Sequence, residues 1–384
     1  MLIAIQIILA AAGAGAVIAL AVDCAAWLKN RISKQHIVVW KDGRRWEASV
    51  CACAEKWVRK MPTVPLKDER RLILLDILRK QYRHSALQNW QLAQLISGLS
   101  AYGRDLEHAF DPQTFRITEI DDGYALYQVW KAGLADEETM LRLTAEYVDR
   151  IVSQRRKPSG LIEYRQGFGD ICLVDTIAFV CPLLIRYGMR SGKRELVELA
   201  MTQIRSYYRY AYLDQYGLYA HGYHAGTGTP CESVGWGRGS GWYLLGILYC
   251  YQELADGEEK SWLKQRMIEG AENILRYERE DGGWSTQLVS KWNYDSSATA
   301  IFGVFLCHVY ELDPKDRYLE AAHTALGRLM ASTTKHGAIE WCEGACHGIG
   351  KYSTRYSVSP FAQGMTLELI SLEKRIANSA SRPH

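Results

Sequence analysis

Asp175 lies in Ile-Cys-Leu-Val-Asp-Thr-Ile-Ala-Phe-Val, a carboxylate inside a largely apolar run. Burial disfavours the charged form of a carboxylate, so such a group is expected to hold its proton toward neutral pH and act as a general acid. Asp is also a strong helix N-cap, and this segment fits either role. A second acidic position, Asp121-Asp122 in Glu-Ile-Asp-Asp-Gly-Tyr, has the composition of a helix start. It equally provides the second acid that work on a glycosidic or enol-ether oxygen usually needs.

The third constellation is Trp236-Gly-Arg-Gly-Ser-Gly-Trp242. Its glycines let the backbone approach a ligand or turn at positive φ. Arg238 offers a planar fork suited to a carboxylate, and Trp236 and Trp242 offer flat faces on which a pyranose can stack. A phosphate loop would have Lys-Ser/Thr after its glycines and a strand before them, and this segment has neither. His221, in Leu-Tyr-Ala-His-Gly-Tyr-His, follows a glycine turn and fits a structural or a binding role equally. Trp90, in Asn-Trp-Gln, and Tyr294-Asp295-Ser296-Ser297 occupy comparable helix starts.

These residues need elements to carry them. Amphipathic helical faces recur, as in Leu196, Leu199, Ala200 and Ile204, or Met267, Ile268, Ala271, Ile274 and Leu275. Between them lie stretches apolar nearly all round, Ile171–Ile185, Trp242–Tyr251 and Ala298–Val309, which predict helices buried on every side. Glycine turns at Gly160, Gly217, Gly282 and Gly337 recur at intervals of about 55–65 residues. Roughly twelve helices between Ala48 and Leu372 then make six hairpins, an all-α (α/α)6 barrel with little strand. Pro182 is expected to kink its helix or to mark a first turn.

The 384 residues carry a net charge of +3, with 48% hydrophobic residues, 12 Trp and 23 Tyr. That charge is too small to suggest a nucleic-acid partner, and no basic run is interleaved with aromatics. Leu2 to Val22 is uncharged and long enough to cross about 30 Å of hydrocarbon. No Lys or Arg precedes it, whereas Lys29, Arg31 and Lys34 come after it. This bias favours a retained anchor over a cleaved leader, and places the domain beyond it on the cytoplasmic side. The expected organisation is an anchor at 1–23 in the lipid bilayer, a basic connector at 24–46 and a single (α/α)6 domain at 47–384. Cys51-x-Cys53 and Cys342-x3-Cys346-His347 are the metal-like spacings, and neither has a matching second pair.

In their order, these residues resemble the unsaturated glucuronyl and rhamnogalacturonyl hydrolases, glycoside hydrolase families 88 and 105. The similarity spans roughly Trp90 to Leu372. It rests on Ile120-Asp121 before a helix, Asp175 in an apolar run leading to Pro182, the Tyr219-x-His221-Gly-aromatic turn, and Trp236-Gly-Arg-x-x-Gly-Trp242. The resemblance implies an (α/α)6 barrel acting on oligosaccharides that end in a 4,5-unsaturated uronic acid, by hydration of the C4=C5 bond. It implies Asp175 as proton donor and base, and Asp121, or Asp122 in the alternative register, as the second acid. His221, Trp236, Arg238, Trp242 and Trp90 would line the sugar pocket, with Arg238 near the uronate carboxylate. No cofactor or metal is required by this chemistry. Where family members often carry a His or an aromatic before the catalytic Asp, this chain reads Glu163-Tyr164-Arg165-Gln166. A toroid cleaving saturated glycosides through two carboxylates, and a tethered sugar-binding protein without activity, are the alternatives.

Overall fold

The computed structural model describes residues 2–34, 36–60, 62, 89–106, 109–344, 346, 350 and 352–380. After α1 (Leu2–Lys34) and α2 (Gly43–Arg59), six helical positions form a closed inner ring. In order these are α3 (Asn89–Ala101), α4 (Asp122–Lys131), the consecutive pair α6 (Asp175–Phe179) and α7 (Cys181–Ser191), α9 (Gly237–Glu253), α11 (Ser296–Leu312) and α13 (Pro360–Ala380). Each packs on the next, and α13 returns to α3. The closing seam depends on two glycines. A Cβ on Gly98 would lie 2.1 Å from the Gly364 carbonyl oxygen, and one on Gly364 2.3 Å from that of Gln94. Only hydrogen at those positions lets the two backbones meet.

Around this ring lie α2, α5 (Glu137–Tyr147, continued by a π turn at Val148–Val152), α8 (Arg194–Ala211), α10 (Glu258–Leu275) and α12 (Asp316–Ala331). The burial matches the two helix types expected. In α9 every residue from Gly237 to Cys250 is buried, whereas α8 buries chiefly the face of Leu196, Leu199, Ala200, Ile204 and Tyr207. The outer helices α5, α8, α10 and α12 hand the chain to α6, α9, α11 and α13, so those inner N-termini collect at one mouth of the barrel.

One expectation needs correction. Ile171–Ile185 is not one helix: β1 (Ile171–Leu173) leads into α6, and the ladder breaks at Val180, with φ −121°. Pro182 has no N–H with which to continue that ladder and sits where it is tolerated, in the first turn of α7. Strand is confined to short pieces, as expected. A sheet joins β1, β2 (Tyr212–Leu213) and β4 (Thr229–Val234) antiparallel to β3 (Leu218–His224). Leu218 to Tyr223 is buried on both faces, which removes the alternation that would have marked it. Short ribbons β5 (Ser285–Gln287) with β6 (Trp292–Tyr294), and β7 (Cys342–Glu343) with β8 (Tyr356–Ser357), complete the mouth.

Leu2–Ala25 of α1 is apolar and long enough to cross a membrane, and is almost wholly exposed. The segment after α1 docks on the barrel. Val38 N–H donates to Thr333 O, Lys335 N–H to His36 O, and the Trp46 indole to Thr333 Oγ1 at 2.9 Å. All ten cysteines are free thiols, with Cys51 and Cys53 buried in α2. Among the described residues no group of three or more His, Cys, Asp or Glu is placed to hold a metal; His347 lies outside them.

Candidate active site

Asp122, the first residue of α4, is fully engaged. Its Oδ2 accepts from the N–H groups of Thr118 and Glu119 at 2.8 and 2.9 Å, and its Oδ1 from Asn89 Nδ2 at 2.7 Å. It braces the approach to α4 and ties that helix to the start of α3. Asp121 points elsewhere. Its carboxylate accepts from the Tyr164 hydroxyl at 2.5 Å and from Arg165 Nη2 at 3.2 Å. Of the two registers, Asp121 is therefore the acid that meets the rest of the site.

Asp175 opens α6 without capping it. The Val174 N–H donates to His221 O at 3.0 Å, which fastens this helix start to β3. His221 Nε2 then lies 3.5 Å from Asp175 Oδ2, and its Nδ1 lies 2.9 Å from the Tyr352 hydroxyl. The imidazole packs on Trp236, ring centroids 4.7 Å apart, and Trp236 on Tyr352 at 5.4 Å. Asp175, Asp121, His221 and Trp236 are thus joined by direct contacts or through Arg165, whose charge acts on both acids.

The two acids are displaced in opposite directions. Burial raises Asp121 above the ordinary carboxylate range; Arg165 and Tyr164 pull it down, and the charge of Asp175 pushes it up. At Asp175 burial also pushes upward, but the hydrogen bond and charge of His221, with Arg165, outweigh it and hold this acid below its ordinary value. The expectation that burial alone would keep Asp175 protonated is thereby corrected. Its charged neighbours, invisible in the local sequence, decide the sign.

Below the acids, Trp90 contacts Phe179, Trp242 and Phe361 with centroids 5.4–5.9 Å apart, and Tyr124 joins them. Trp90 is half-buried and presents a partial face. Trp242 is 2% exposed with four ring neighbours, so it plugs the barrel axis and offers no free stacking face.

Arg238 differs from its expected role. Its Nη1 donates to Glu343 O at 2.8 Å and Ser297 Oγ at 3.3 Å, and its Nη2 to Gly344 O at 2.7 Å, with the Glu343 carboxylate at 3.4 Å. The fork expected for a uronate carboxylate is spent holding the 343–344 backbone. Glu343 also accepts from the Trp236 indole at 2.8 Å, and its backbone N–H donates to Asp295 at 3.0 Å. Burial, helped by Asp295 and opposed by Arg238, raises Glu343 to about 8.

Tyr164, Arg165, Glu343 and Tyr352 were not among the site residues expected. A signal existed for the first: Tyr164 stands four residues after Gly160, as His221 does after Gly217. Nothing local marks Glu343 or Tyr352.

A closed helical ring whose mouth gathers two acids and an imidazole against packed aromatic rings suits work on carbohydrate. The family model described as Glycosyl Hydrolase Family 88 matches residues 83–375. The chain belongs to that family and is a glycoside hydrolase. It is similar to Protein Atu3128 of Agrobacterium fabrum, 27% identical over 165 residues that cover 39% of this chain and 70% of that protein. Its fold is that of a possible member of the GH105 family from Klebsiella pneumoniae, at TM-score 0.72 and 14% identity over 88% of this chain and 95% of that one. It is shared too with an unsaturated glucuronyl hydrolase from Bacillus sp. GL1, at TM-score 0.64 and 16% identity, covering 85% and 96%.

Proposed function

We propose that the protein removes a 4,5-unsaturated uronic acid from the non-reducing end of lyase-generated oligosaccharides by hydrating the C4=C5 bond. The observation that carries this reading is the pair Asp121 and Asp175, held beside His221 and Arg165 with their proton affinities driven apart. Membership of family 88 and the likeness to a glucuronyl hydrolase fold support it.

Asp175 in its acid form gives a proton to C4, and positive charge develops at C5 and the ring oxygen. A water adds at C5 as its proton passes to the Asp175 carboxylate, which ends as it began. The hemiketal so formed collapses to a C5 ketone as the bond from C5 to the ring oxygen breaks. C1 then becomes an aldehyde and the remaining sugar leaves as an alcohol. Asp121 stands beside Asp175 as the second acid, and His221 and Trp236 form the wall against the ring. The substrate's own carboxylate, arriving near Asp175, raises that group's proton affinity and brings it toward the acid form.

The same reading takes residues 1–23 as an anchor in the bilayer, 24–46 as a basic connector, and 47–384 as the catalytic domain on the cytoplasmic side. The apolar stretch and the Lys and Arg after it support this. Protease protection in sealed vesicles tests the orientation.

The test of activity is ultraviolet absorbance of the conjugated double bond in lyase products. Decay with unsaturated oligosaccharides and none with saturated ones is expected. No decay across pectin-, heparin- and chondroitin-type products would sink the reading, and release of reducing sugar from saturated polymers would select a saturated-glycoside hydrolase.

A further inference from the structure

A uronate brought beside Asp121 and Asp175 adds a third carboxylate to a buried site, and like charges there repel strongly. Some cation must meet it. The sequence offers Arg238, but its side chain is 7% exposed and its guanidinium is bonded to Glu343, Gly344 and Ser297. Lys157 donates to Gly169 O and Arg155 to Tyr164 O, so both serve the loop that carries them.

Arg165 is placed differently. Its side chain is 39% exposed, and only Nη2 has a protein acceptor among the described residues, Asp121 Oδ2 at 3.2 Å. Its Nε and Nη1 donors have no protein acceptor among the described residues. The guanidinium lies 5.0 Å from the Tyr164 ring centroid, which limits its swing. Its charge reaches both Asp121 and Asp175.

We infer that Arg165 receives the substrate's carboxylate on its unmatched donors and makes the site select a uronic acid. This rests on the hydrolase reading above and names the group that recognises its substrate. Binding there has a second consequence. Arg165 is one of the charges that hold Asp175 below its ordinary range, and an anion on Arg165 cancels part of that field. The substrate thereby favours the protonated form of Asp175 in the complex, where a proton donor is needed.

The test compares wild type and Arg165→Gln on an unsaturated uronate-ended disaccharide and on its methyl ester. A charge-assisted contact of this kind contributes roughly 10–100-fold to binding. Wild type should prefer the acid to the ester. Arg165→Gln should lose that preference, with kcat/KM on the acid falling by roughly 10–100-fold, mostly through KM, and by much less on the ester. Arg165→Lys, which keeps the charge but not the fork, should recover part of the loss. Equal losses on acid and ester would overturn the inference and leave Arg165 as a support for Asp121, as would no loss on either. Should wild type consume neither compound, the hydrolase reading fails. Calorimetric binding of the acid to wild type and Arg165→Gln then decides Arg165 on its own, equal affinities overturning the inference.

Discussion

The two sides of the barrel mouth each contain an arginine, acidic groups and an indole or phenol, and they use them in opposite ways. On the side of α9 and α11, Arg238, Asp295, Ser297 and Glu343 bond to one another and to backbone, and among the described residues Glu343 Oε1 is the one buried side-chain atom of the four left without a partner. On the side of α4 and α6, among the described residues, Arg165 keeps donors without a protein acceptor, and Asp175 Oδ2 has no hydrogen-bond partner, with His221 Nε2 at 3.5 Å. A closed network fixes shape, and an open one retains capacity for a ligand and for protons. Residue type alone does not separate a wall from a working surface; partner count does.

That contrast can be broken at either side. The largest effect expected is on catalysis: Asp175→Asn should lower kcat by roughly a thousand-fold with an unchanged melting temperature. A melting temperature that falls in step with activity would make Asp175 a structural group. Next comes stability. Arg238→Met takes the buried donor away from the Glu343 and Gly344 carbonyls and should cost about 2–4 kcal/mol in urea unfolding, whereas Arg165→Gln should change it by less than about 1 kcal/mol. Equal losses would erase the distinction between the two sides.

A subtler signature is pH. Folded Glu343 binds its proton up to about 8, against 4.5 as its ordinary value. The native state therefore holds a proton that the unfolded chain has released. Its contribution to stability is complete below 4.5 and is lost as the pH rises through about 8. The melting temperature should drift down across that window in wild type, and Glu343→Gln should flatten the drift. The smallest effect is expected from Tyr164→Phe. The Tyr164 hydroxyl lowers the proton affinity of Asp121, so its loss should move the corresponding limb of the kcat/KM profile to higher pH. A profile that stays in place would remove Asp121 from the catalytic ionisations.

The ring itself was legible because it depends on periodicity. Fully buried α9 and α11 read as apolar all round, and α8, α10 and α12 read as one-faced. The clustering of Asp121, Asp175, His221 and Trp236 was legible through their order along the chain. Two kinds of fact were not. Strand β3 lacks alternation because both its faces are covered, and the break at Val180 depends on how Pro182 is accommodated. The assignment of Arg238 failed for a related reason. Its partners Glu343 and Gly344 lie more than a hundred residues away, and no local pattern announces that a fork is already filled. The sign at Asp175 likewise depends on His221 and Arg165, which only the fold brings near.

The central claim is that this family 88 chain protonates an enol ether, with Asp175 as the donor. Brief turnover of an unsaturated uronate-ended disaccharide in heavy water, read by proton NMR, tests it most directly. One deuterium should appear at C4 of the released uronate, the double bond should be lost in step with sugar release, and neither event should occur in Asp175→Asn. Release of a monosaccharide that retains the double bond and carries no deuterium at C4 would contradict it.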